Sequence, residues 1–107
     1  MIKIAIVGFG SAGKHYCKLL KNKKAELFVI DNVSIPKNDN FKLKKFDRIK
    51  KEKIYFEFAI ICSPSGLHYE HANFFLKRSS NVLIEKPFVL KLEHAKKLIQ
   101  LSKKKNV

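Results

Sequence analysis

A chain of 107 residues has room for one α/β domain but not for two of ordinary size. Its hydrophobic share of 46% argues against wholesale disorder, and its longest strong apolar run, Phe58-Ala59-Ile60-Ile61-Cys62, is far too short to cross a membrane. The net charge of +14 raises nucleic-acid binding, but only Arg48 and Arg78 are arginine. The lysines are spread through the whole chain, without the arginine forks and interleaved aromatics of a nucleic-acid reader. They read as solvated surface, with a positive field that would attract an anionic ligand.

In chain order, Ile2 to Val7 is a short apolar run that saturates with Ile, Ala and Val, as expected of a strand buried on both faces. It runs straight into a glycine turn, which distinguishes it from a signal peptide. A helix is predicted from Ser11 to Asn22, with Ala12, Tyr16, Leu19 and Leu20 on its inner face and Lys14, Lys18 and Lys21 in water. A second strand, Glu26 to Ile30, ends at Asp31, and a polar loop with Pro36 follows to Asn40. Phe41 to Tyr55 fits a short strand and a helical turn. Phe56 to Cys62 is another central strand, broken by Ser63-Pro64-Ser65-Gly66. The next helix, Leu67 to Arg78, turns Ala72, Phe75 and Leu76 inward. A strand at Asn81 to Ile84 ends in Glu85-Lys86-Pro87, and a last helix, Leu92 to Lys103, is expected to bury Leu92, Ala95, Leu98 and Ile99. Strands alternating with amphipathic helices predict an α/β fold, a Rossmann-type open parallel sheet with helices on both faces.

The chain has four glycines. Three form the pattern Gly8-Phe9-Gly10-Ser11-Ala12-Gly13 between a buried strand and a helix, the setting that gives a G-x-G-x-x-G its meaning. Gly8 permits the turn, Gly10 lets a pyrophosphate approach the backbone, and Gly13 lets the helix pack closely on the strand. The helix start offers unpaired N–H groups and a partial positive charge. Asp31, about 20 residues on at the end of the second strand, is placed to accept hydrogen bonds from an adenosine ribose and to repel a 2′-phosphate. NAD is therefore favoured over NADP, with Lys37 a neighbour that could soften the repulsion. The two remaining turns, at Ser63-Pro64 and at Glu85-Lys86-Pro87, fall at the carboxyl ends of later strands, where open parallel sheets bind ligands. Cys17 and Cys62 lie within predicted elements and read as buried reduced thiols in a cytoplasmic protein, and no metal site is expected.

These residues resemble the Gfo/Idh/MocA oxidoreductases. Val7 to Gly13 is shared with many dinucleotide-binding proteins, but the stretch from Cys62 to Ala72 is similar to that family's T-P-x-x-x-H-x-x-x-A, and Val82 to Pro87 to its V-x-x-E-K-P. The resemblance implies that Ser63 and Pro64 touch the cofactor ribose, that Glu85 and Lys86 lie beside the nicotinamide, and that Lys86 helps to hold a substrate hydroxyl. His68, the histidine of the first signature, joins the expected cofactor site. It also implies hydride transfer between NAD(H) and a sugar, nucleotide sugar or polyol, in a full-length protein that is homo-oligomeric.

Three departures bear on this. The stretch from Asp31 to Phe56 is short, so the helix after the second strand should be missing or reduced to one turn. Lys91 occupies a position usually held by a capping Thr or Ser. The 107 residues also end before the family's second domain, which carries the substrate pocket and a D-x-x-x-H histidine. The histidines here do not stand in for it: His68 should begin a helix, His71 and His94 should lie on helix surfaces, and His15 follows the phosphate turn. A stand-alone nucleotide-binding module is the competing reading.

Overall fold

The computed structural model describes residues 1–32 and 40–107; Pro36 and Lys37 lie outside the described residues. Five strands form one parallel sheet: β1 (Ile2–Val7), β2 (Ala25–Ile30), β3 (Lys42–Lys44), β4 (Phe58–Ile61) and β5 (Asn81–Ile84), in the order β3-β2-β1-β4-β5. Among the described residues four α-helices accompany them: α1 (Ser11–Leu20), α2 (Phe46–Lys51), α3 (His68–Lys77) and α4 (Leu92–Lys105). The α2 helix has six residues and follows β3; the link from β2 to β3, where the helix after the second strand is expected to be missing or reduced, lies mostly outside the described residues.

Because a strand's side chains alternate between faces, each central strand feeds two cores. Ile4 and Ile6 of β1, Leu27 and Val29 of β2 and Ile60 of β4 pack with Cys17 of α1 on one face. Ala5 and Val7, Phe28 and Ile30, and Ala59 and Ile61 face the other side, under Phe46 and Ile49 of α2, Ala72, Phe75 and Leu76 of α3, and Leu98 of α4. Phe75 stands edge-on to Phe56 and Phe46, with ring centroids 5.9 and 6.4 Å apart, and Phe56 is edge-on to Phe28 at 5.2 Å. These are favourable aromatic geometries. Burial on both faces is what lets β1 be nearly all apolar.

Two expectations about inward faces are corrected. Leu92 and Ile99 of α4 are 73% and 48% exposed, and only Leu98 of that helix is fully buried. The helix packs mainly against α3, so much of its apolar stripe has no sheet beneath it. On α1 the buried positions are Gly13 and Cys17, and Leu19 is exposed.

This division predicts opposite outcomes for two apolar truncations. Phe75→Ala should cost about 3–5 kcal/mol, as buried Phe-to-Ala changes do. Leu92→Ala should stay within about 0.5 kcal/mol, as exposed substitutions do. Urea denaturation of the two variants checks both.

Candidate functional site

The parallel register sets the site. Val7 of β1 is paired with Ile30 and Ile61, and Ile61 with Ile84, so four strands finish level with one another. The ladder then runs one residue further: Gly8 N–H donates to Ile30 O at 2.8 Å, Cys62 N–H to Val7 O at 2.7 Å, and Glu85 N–H to Ile61 O at 2.9 Å. The glycine turn, Asp31, the Ser63-Pro64 turn and the Glu85-Lys86 turn therefore share one edge. Here β1 has β2 on one side and β4 on the other, the topological switch point of an open α/β sheet.

Two of the three glycines are required by backbone packing. Gly8 has φ of +97°, and a Cβ there would lie 2.8 Å from the Cys62 carbonyl carbon. At Gly13 a Cβ would lie 2.0 Å from Gly8 O, so α1 packs against the turn as closely as backbone allows. Gly10 is the opposite case. Nothing among the described residues lies within 4 Å of its missing Cβ, which leaves room beside the start of α1. Among the described residues no side chain caps that start and no acidic residue occupies its first turn, so its first N–H groups are left to other partners. The geometry fits a phosphate group.

Asp31 reinforces the turn, its Oδ2 accepting the Phe9 N–H at 2.8 Å. Beside it is a crevice of about 200 Å³ lined by Val7, Gly8, Ile30, Asp31, Asn32, Phe46, Ser63, Pro64, Leu67 and His71. Its walls are mostly apolar with a few polar groups, the character of a small-ligand pocket.

Three side chains differ from expectation. The Ser63 hydroxyl is engaged with His71 Nδ1 at 2.8 Å. His71 is not a surface residue: it is half-buried, stacked on the Phe46 ring at 4.5 Å. Burial pushes its pKa down, against the pull of Glu70 upward. His68 begins α3 as expected, but it is 2% exposed and not among the crevice-lining residues. Its Nε2 lies 2.7 Å from Ser63 O, and its Nδ1 lies 2.8 Å from Pro87 O and 3.2 Å from Phe88 O. It ties the turn after β4 to the turn after β5. Tyr16 went unrecognised as a site residue: from α1 its hydroxyl donates to Glu85 Oε1 at 2.8 Å. A signal was present, since a tyrosine on an inward helix face needs a partner for its hydroxyl. Lys86, at the end of β5, is exposed. The two cysteine thiols are pushed up by burial, Cys17 to about 11 and Cys62 to about 12, which fits inert packing groups.

Residues 2–107 match the family model GFO_IDH_MocA, the oxidoreductase family with an NAD-binding Rossmann fold. The chain belongs to the Gfo/Idh/MocA family. Among its relatives, YhhX of Escherichia coli, an uncharacterized oxidoreductase, is 39% identical over 49 residues, 46% of this chain and 14% of the relative. The structure of scyllo-inositol dehydrogenase from Lactobacillus casei, with bound NAD(H) and scyllo-inositol, superposes with a TM-score of 0.81 at 26% identity, covering 99% of this chain and 34% of that one. An oxidoreductase from Bacillus cereus shares the fold with a TM-score of 0.80 at 23% identity, covering 100% of this chain and 33% of that one. The chain thus spans about a third of the length of these solved relatives. No helix among the described residues is long and apolar enough to cross a membrane.

Two predictions follow from this packing. Gly13→Ala should destabilise the chain by about 1–3 kcal/mol or more through overpacking, whereas Gly66→Ala, with nothing within 4 Å of the added Cβ, should be nearly neutral; denaturation midpoints compare them. His71 has a lowered pKa in the folded chain, so the unfolded chain takes up its proton first as pH falls. Its contribution is present above about 6.5, the ordinary histidine value, and is lost as pH drops through the lower folded value. Urea midpoints measured across this range should decline toward acid, and His71→Asn should remove that part of the decline.

Proposed function

We propose that this chain grips NAD(H) along the carboxyl edge of its sheet, as the cofactor-binding part of an oxidoreductase acting on a sugar, nucleotide sugar or polyol. The observation that carries the reading is the position at Gly10, open among the described residues, before a helix they leave uncapped and beside a carboxylate at the end of β2. In this reading the pyrophosphate lies on the Phe9 to Gly13 backbone, with Gly8, Ser11 and Ala12 completing the loop. The adenosine ribose meets Asp31, and the crevice bounded by Val7, Phe46, Leu67 and His71 receives the adenine. Its apolar walls suit a planar base, and the Ser63-Pro64 backbone forms its far lip.

The bound cofactor would supply hydride transfer. The chain's own part at the reacting end belongs to Glu85 and Lys86. Lys86, exposed just past the end of β5, would donate to a substrate hydroxyl and stabilise negative charge developing on that oxygen as its proton leaves. His68 serves from behind by holding the two turns together. The sugar-type substrate is supported by the scyllo-inositol dehydrogenase relative, which carries both NAD(H) and its polyol. A base and a substrate pocket are assigned to the remainder of a longer enzyme, so residues 1–107 should bind cofactor without turning it over.

Calorimetric titration with NADH and NADPH tests the reading. The wild-type chain should bind NADH, and Gly10→Val, which fills the phosphate position, should weaken it at least tenfold. Equal affinity before and after that change would exclude the phosphate assignment. Asp31→Ala removes a hydrogen bond to a charged acceptor, about 1.5–3 kcal/mol or roughly tenfold to a hundredfold in affinity. It should also narrow the NADH preference over NADPH; an unchanged ratio would take Asp31 out of the ribose site.

A further inference from the structure

Glu85 is tied at both backbone and side chain. Its N–H extends the β4–β5 ladder to Ile61 O at 2.9 Å, which fixes the main chain at the strand's end. Its side chain would otherwise sample many rotamers in the crevice mouth. Tyr16 removes that freedom. The phenol comes from α1, the helix whose first turn faces the open phosphate position, and it reaches across the end of β4 to Glu85 Oε1 at 2.8 Å. Both groups are partly buried, where such a charge-assisted bond is stronger than in water. The bond pushes the Tyr16 pKa up, so the phenol stays protonated and remains the donor. Glu85 Oε2 has no partner among the described residues.

A carboxylate oxygen is an acceptor only. Held in one place at the reacting end of a dinucleotide crevice, it suits an amide N–H and opposes an anion. The nicotinamide ring carries a carboxamide with two N–H donors. Its nicotinic-acid counterpart carries a carboxylate at the same position, which Glu85 would repel and could not accept from. Lys86 follows in sequence, but it is exposed, and solvent screens its attraction for such an anion.

We propose that Tyr16 is a specificity-determining positioning residue: by holding Glu85 Oε1, it keeps Oε2 ready for the carboxamide N–H of the cofactor and selects the amide over its carboxylic-acid analogue. This rests on the dinucleotide reading above and adds to it a residue on the phosphate helix that reads the opposite end of the ligand. The coupling is direct. One hydroxyl links the helix that meets the pyrophosphate to the strand end that meets the reacting ring.

The test uses the 107-residue chain and three ligands in calorimetric titration: NAD, its nicotinic-acid analogue deamido-NAD, and ADP-ribose, which lacks the ring. The wild type should bind NAD roughly tenfold or more tighter than deamido-NAD, as expected for one amide hydrogen bond replaced by a like-charge contact. Tyr16→Phe keeps the ring and deletes only the hydroxyl. It should weaken NAD by roughly fivefold to tenfold, leave ADP-ribose unchanged and so narrow the NAD to deamido-NAD ratio. Glu85→Gln keeps an acceptor for Tyr16 but removes the charge, and it should collapse the same ratio by strengthening deamido-NAD. An unchanged ratio in either variant, or an equal loss for all three ligands in Tyr16→Phe, would overturn the proposal while leaving the dinucleotide reading in place. Failure of the wild type to bind any of the three would overturn both.

Discussion

The structure depends on the in-register parallel ladder of β1, β2, β4 and β5. A parallel ladder ties the height of each strand to its neighbours, residue by residue. With Val7 level with Ile30 and Ile61, and Ile61 level with Ile84, the last ladder residue of each strand reaches the same edge. Everything that breaks a strand is then delivered to one place. A slip of one residue would also exchange the two faces of a strand. The apolar alternation of Ile4 and Ile6 against Ala5 and Val7 therefore protects the alignment of the turns as well as the core.

The helix α1 is the second constraint, and its position follows from the absence of two Cβ atoms. Gly13 lets it approach the Gly8 carbonyl more closely than any other residue could, and Gly8 turns the chain through a left-handed conformation against the end of β4. Once seated, the helix has its uncapped start at the crevice and its inner face over β1 and β2. From there Tyr16 can reach Glu85. On the opposite face His68 spans the turns after β4 and β5 from its buried position at the start of α3. Helices on both faces thus hold one edge of the sheet, through side chains that meet backbone carbonyls or a carboxylate rather than solvent.

Much of this was legible beforehand because it is written in local chemistry. Glycine is the residue a left-handed turn favours, proline ends ladders, and a run such as Phe58-Ala59-Ile60-Ile61 is stable only when covered on both sides. Those rules placed the strands to within a few residues and brought the glycine turn, Asp31, Ser63 and Glu85 to the same edge. They were weaker where burial depends on what lies opposite. Periodicity predicts that the apolar stripe of α4 is buried, yet Leu92 and Ile99 are exposed because the helix packs mainly against α3. His71 is expected on a helix surface, yet Phe46 of α2, which is remote in the sequence, lies against its ring.

The sequence by itself determined the fold class, the order of the elements and the edge where the site lies, since periodicity and turn residues act between near neighbours in the chain. Only the tertiary structure decided which side chains meet across that edge. Tyr16 and Glu85 are joined by a hydrogen bond across the end of a strand that belongs to neither, and His68 is locked between two turns that the sequence shows only as separate breaks. Hydrogen bonds of this kind depend on the register of parallel strands and on how far each helix sits from the sheet. Those distances are set by packing on both faces at once, a property that no single segment of the chain carries.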